Sequence, residues 1–157
     1  MNFKLVAFSA ERRIAAVSVF NGTSLQDTRL RHLPNGTAQA AGSVRELITR
    51  TLEHYRPGFV AIHRPVTKAG ERILHFGEVV KEIADELGIP SVPVDDTALL
   101  SAYGHPALTR KEHVRRVGRT IWPGLNVALS RRAAADAAIT GLYVQVQRLF
   151  SLHEVTV

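Results

Sequence analysis

Residues 57–63 read PGFVAIH. Pro57 lacks the N–H that a continuing helix needs and Gly58 tolerates turn geometry, so the pair stops whatever precedes it. The five residues that follow, FVAIH (59–63), are apolar up to a terminal histidine. A strand wetted on one face alternates polar and apolar residues, whereas a continuous short run marks a strand covered on both faces. The stretch therefore predicts a short central strand in parallel pairing, with helices above and below.

Working outward from it, three strands precede: FKLVAFSA (3–10), IAAVSVFNG (14–22) and SLQDTRLRHL (24–33). Asn21-Gly22 is the turn dipeptide between the second and third, and the polar alternation of the third suits a half-wet edge. After Pro34-Asn35-Gly36, Thr37 opens a helix running to about Tyr55, with Val44, Leu47, Ile48, Thr51 and Leu52 on one face. Downstream, a second helix is predicted over 68–87, with Ile73, Phe76, Val79, Val80, Ile83 and Leu87 at helical spacing, Gly88 as its C-cap and Pro90 beyond. IPSVPVD (89–95) reads as a fifth strand, followed by a polar loop around Asp95, Asp96 and Thr97. Thr109 and Glu112 form a capping box for a helix to Ile121, broken at Trp122-Pro123-Gly124, and a last helix covers 130–149. Trp122 and Phe150 read as core or cap residues. The order is βββαβαβαα, an α/β chain read as one domain over 1–157.

Composition narrows the function classes. The 157 residues suffice for one hydrophobic core without staples. No apolar run approaches the ~18 residues of a membrane span, no signal-peptide pattern follows Met1, and Glu11 leads into Arg12 and Arg13. The absence of cysteine excludes disulfides, thiolate metal sites and a cysteine nucleophile, and fits a cytoplasmic setting. Net charge is +6 with a pI near 10.3, which points to a polyanionic partner, DNA or RNA, and to no membrane. Arg110, Lys111, Arg115, Arg116 and Arg119 concentrate that charge within ten residues, and guanidinium groups suit phosphate contact. The competing account of the cluster is a solvated basic helix face.

The last helix raises the sharpest chemical question. AAADAAITGLYVQ (133–145) holds one carboxylate, Asp136, among alanines. It either faces water or points into a site that needs an acid.

These stretches, in this order, resemble the RuvC-type Holliday junction resolvases of the ribonuclease H-like superfamily. The resemblance spans nearly the whole chain. It rests on FKLVAFSAERRIAAVSVF, PGFVAIHRP leading into a long helix, LGIPSVPV, RKEHVRRV and AAADAAITGLYVQ. It implies a five-stranded mixed sheet in order 3-2-1-4-5 with helices on both faces. It also implies phosphodiester hydrolysis with two Mg²⁺ ions, held by an Asp on the first strand, a Glu at the end of the fourth, and an acidic or His residue about a turn before a final Asp. The matching positions here are Ser9, His63, Ala133 and Asp136, so Asp136 alone keeps the family carboxylate. Two hard cations need several carboxylates, and an imidazole prefers softer metals. The expectation is therefore a resolvase-like nucleic-acid-binding domain that has lost catalysis, a pseudo-nuclease with no metal ligands and no cofactor.

Two alternatives stand beside it. One is an Mg²⁺-dependent, structure-selective DNA endonuclease whose ligands have moved to Glu11, Asp136 and Asp95 or Asp96. The other is a non-enzymatic protein-interaction scaffold. Ser9, His63 and Asp136 also match a hydrolytic triad by composition, while Asp136 and His63 read equally as groups that satisfy buried polar neighbours. The resemblance places the basic segment Arg110, Lys111, Arg115, Arg116 and Arg119 at the family's DNA contacts, although Asp95 and Asp96 would repel phosphate. It further implies a homodimer through the 68–87 helix, with Phe76, Val79 and Val80 contributing.

Overall fold

The structure, a computed structural model, describes residues 2–11, 13–34, 37–64, 71–103, 120–125 and 132–156. Three antiparallel strands come first: β1 (Lys4–Glu11), β2 (Ile14–Asn21) and β3 (Ser24–His32). Helix α1 (Thr37–Tyr55) leads to β4 (Phe59–Arg64), α2 (Glu71–Glu86) to β5 (Ser91–Asp95), and α3 (Asp96–Tyr103) follows at once. A short 3₁₀ turn, Pro123–Leu125, precedes the long helix α4 (Arg132–Thr156). The sheet order is β3-β2-β1-β4-β5, with β1 antiparallel to β2 and parallel to β4, and β4 parallel to β5. FVAIH thus fills the internal parallel position that its unbroken apolar run requires.

The alternation of side chains along β1 divides the core into two layers. Val6, Phe8 and Ala10 point to one face, where Val44, Ile48 and Leu52 of α1 and Phe76, Val80 and Ile83 of α2 cover them. Leu5 and Ala7 point to the other face and meet Phe20, Ala61, Ile139 and Val144. Trp122 closes part of that second layer, its ring edge-on to Phe20 at 6.1 Å.

α4 lies close on the sheet because its contact surface is small. Ala133, Ala134, Ala135, Ala137 and Ala138 are buried, and at Gly141 an added Cβ would stand 2.3 Å from the Phe20 ring and 3.1 Å from Ala7 Cβ. Farther along, the buried Gln145 donates both amide hydrogens to backbone carbonyls, Phe3 O at 2.7 Å and Gly22 O at 2.8 Å. The helix is therefore latched to the start of β1 and to the β2–β3 turn.

Four expectations need correction. The polar loop at 95–97 is instead the start of α3: Asp95 Oδ1 accepts from Ala98 N–H at 2.8 Å as an N-cap, and Leu99 buries one face. The last helix runs on to Thr156, since neither glycine beyond Gly141 nor any proline interrupts it. Phe150 is 60% exposed, so it is neither core nor cap. Phe76 and Val80 are consumed by the chain's own core, leaving α2 an outer face of Glu78, Lys81, Glu82, Asp85 and Glu86. The helix expected from Thr109 and the basic residues Arg110, Lys111, Arg115, Arg116 and Arg119 lie outside the described residues.

Candidate functional site

Ser9 shares the face of Leu5 and Ala7 by the period of two, and His63 shares the face of Ala61. Both lie near the C-terminal ends of parallel neighbours, where α4 passes over them. The pairing delivers a hydrogen bond of 2.9 Å between Ser9 Oγ and His63 Nδ1. Asp136 comes from α4, its Oδ2 4.0 Å from the same ring nitrogen. The structure thus brings together Ser9, His63 and Asp136, three positions that are 54 and 73 residues apart in sequence.

The other side of the ring is held by a residue the sequence offered only as one of two substitutes. His63 Nε2 and Asp96 Oδ1 lie 2.6 Å apart. A carboxylate only accepts, so Nε2 carries the proton and donates. That leaves two states for Nδ1: in the neutral ring it accepts the Ser9 hydroxyl proton, and in the imidazolium it donates to Ser9 Oγ. Asp96 is available because it is the first residue of α3, and Asp95, one step earlier, is turned away to cap that helix. No signal in the sequence distinguished the two aspartates, since the choice depends on where β5 stops.

The arrangement resembles a hydrolytic triad, Ser9–His63–Asp96, with Asp96 replacing Asp136 as the acid on the far nitrogen. Burial decides against that chemistry. Ser9 is 0% exposed and His63 3%, so the hydroxyl cannot reach a substrate carbonyl. A triad needs an accessible nucleophile, and the buried Ser9 hydroxyl is not one.

A pair of Mg²⁺ ions would make different demands on the same groups. Mg²⁺ takes near-octahedral oxygen ligands. His63 occupies the centre of the cluster, with one ring nitrogen bonded to Ser9 and the other to Asp96. Ala133 is buried against Ile14 and Ala16 and supplies no donor. Glu11 ends β1 on the Ser9 face by alternation but is only part-buried, and no group of three or more acidic or histidine side chains among the described residues has the geometry of a metal centre. Among the described residues, the donor set does not fit two hard cations.

Comparison with known proteins gives a fold. No family model matches the chain, and no curated protein matches it in sequence. Among solved structures, Thermus thermophilus RuvC in complex with a Holliday junction substrate superposes with a TM-score of 0.72 at 17% identity, over 95% of this chain and 97% of that one. A second Thermus thermophilus RuvC structure gives 0.71 at 16% identity, over 93% and 96%. The yeast mitochondrial Holliday junction resolvase gives 0.57 at 12% identity, over 98% and 84%. These superpositions and the strand order 3-2-1-4-5 give the chain a RuvC-like, ribonuclease H-like fold.

Proposed function

We propose that the chain is a resolvase-like nucleic-acid-binding domain that does not cut its ligand. The observation that carries this reading is the hydrogen-bonded chain Ser9–His63–Asp96 at the junction of β1 and β4, with buried Asp136 beside it. Those side chains are engaged with one another, which supports a structural role for the ring over metal coordination. Binding is supported by the net charge of +6 and by the fold shared with a resolvase seen on a Holliday junction. Arg110, Lys111, Arg115, Arg116 and Arg119 are the residues assigned to phosphate contact. We read the chain as one domain over 1–157, cytoplasmic and homodimeric.

The test incubates four-way junction, duplex and single-stranded DNA with the protein in Mg²⁺ and in Mn²⁺. Retardation without cleavage is expected. If three or four cations touch phosphates, log K falls against log[salt] with a slope of roughly −3, at about −0.9 per contact. Replacing Arg115 and Arg116 with Ala flattens the slope by about 2 and weakens binding evenly across sequences. Cleavage that disappears on Asp136→Asn would overturn the reading in favour of moved ligands, and no binding at low salt would leave a protein scaffold.

A further inference from the structure

A groove of about 670 Å³ runs between the edge strand β5 and α4, on the layer that also holds the site but along the strands rather than at their ends. Its walls are Phe59, Val92, Val94, Ala98, Tyr143 and Val144. The helix passes it antiparallel to β4: Asp136 meets His63 near the end of that strand, and the Arg148 guanidinium lies 4.6 Å over the Phe59 ring at its start. Five residues of β5 at about 3.3 Å each make the trough roughly 16 Å long, with Arg148 at one end and Asp95 at the other.

Arg148 is the unusual member. Its guanidinium donates to Gln145 Oε1 at 3.1 Å, and none of the ion pairs among the described residues includes it. Burial lowers its pKa below the ordinary value, the mark of a cation that has lost water without gaining an anion. Asp95 does not fill that role, since its carboxylate caps α3.

The rim determines what kind of body would fit. Val60 N–H donates to Pro90 C=O, so by alternation Val92 and Val94 turn their backbone to β4, and Ser91, Pro93 and Asp95 turn theirs outward. Pro93, at the middle of that outer edge, has no N–H to give. An added peptide strand would bring amides that this edge leaves unmatched, at a cost in desolvation. A hydrocarbon chain brings none.

We propose that this groove binds an amphipathic carboxylate, its aliphatic chain lying along Val92 and Tyr143 and its carboxylate against the Arg148 guanidinium. Apolar walls with a single charged contact are the usual make-up of a small-molecule site of this volume. The proposal is independent of whether the chain binds DNA.

The experiment titrates the ¹⁵N-labelled full chain with hexanoate, octanoate, decanoate and neutral decanol, each below its micellar concentration, and follows amide shifts at Val92, Ala98 and Gln147. Saturable shifts are expected there, with the dissociation constant falling about fourfold for each methylene added. Arg148→Gln weakens decanoate about tenfold and leaves decanol unchanged, and Arg148→Lys keeps most of the affinity. Ser151→Trp, on an exposed turn of α4 beside the cation, abolishes both ligands while the other amide peaks stay in place. Non-saturating shifts, affinity independent of chain length, or equal loss of decanoate and decanol in Arg148→Gln would each overturn the proposal.

Discussion

Replacing Asp136 with Asn separates the two accounts of the site by the sign of a stability change. In a metal centre read without its metal, clustered carboxylates repel, so neutralising one stabilises the fold. In the relay described above, Asp136 is buried and lies 4.0 Å from His63 Nδ1. For the imidazolium form the gross attraction at that distance is about 4 kcal/mol with an effective dielectric constant near 20, and desolvation of the pair removes much of it. A net destabilisation of about 1–3 kcal/mol is expected for Asp136→Asn. The assay is urea unfolding at 25 °C and neutral pH, where a slope of about 2 kcal/mol per molar makes this a midpoint shift of roughly 0.5–1.5 M. The same titration repeated with Mg²⁺ supplies the second arm. An ion bound at a hundred times its dissociation constant would add about 2.7 kcal/mol, whereas the relay predicts no shift. An Asn variant as stable as the native chain or more so, together with stabilisation by Mg²⁺ that this variant loses, would refute the reasoning.

Three further outcomes are expected. Gln145→Leu removes one donor from each of two carbonyls, leaving Phe3 O with Gly22 N–H, and should cost about 1–3 kcal/mol, against a near-neutral Gln147→Leu control on the exposed side of the same helix, both read by urea midpoint. Gly141→Ala should destabilise by about 1–3 kcal/mol despite alanine's better helix propensity of about 1 kcal/mol, because the new methyl meets the fully buried Phe20 ring; a thermal midpoint equal to or above the native one would contradict it. Burial, then Tyr143, raises the Tyr103 hydroxyl above its ordinary 10.0. A raised folded value means stability that is intact below pH 10 and lost as pH climbs through the folded value, so Tyr103→Phe should flatten the alkaline arm of the stability profile.

The strands were legible because burial imposes a pattern on them. β1, β2 and β4 are covered on both faces and read as apolar runs, and β3 alternates because its edge is wet. Helix α1 was bounded correctly by Thr37 and by Pro57 beyond Tyr55. α3 was missed because its opening residues, Asp95 to Thr97, have loop composition, and only the cap contact to Ala98 turns them into a helix start. The apolar face of α2 was found, but a face for the chain's own sheet and one for a second subunit have the same spacing. At the site, Ser9, His63 and Asp136 could be aligned by resemblance, whereas Asp96 could not. Its bond to His63 spans 33 positions and depends on the exact residue at which β5 ends.

The alanine bed under α4 also constrains how this chain could change with time. Ser9 and His63 sit on strands whose backbone would accept other side chains, so an acid at either position is a single substitution away. Position 133 is different. Ala133 is buried against Ile14 and Ala16, and Gly141 and Gln145 hold the helix at that spacing. A carboxylate introduced there would enter the sheet unless α4 withdrew, and withdrawal would break the latch to Phe3 and Gly22 first. A side chain longer than alanine at 133 therefore requires a compensating change in how α4 docks, whereas one at 9 or 63 requires no shift of backbone.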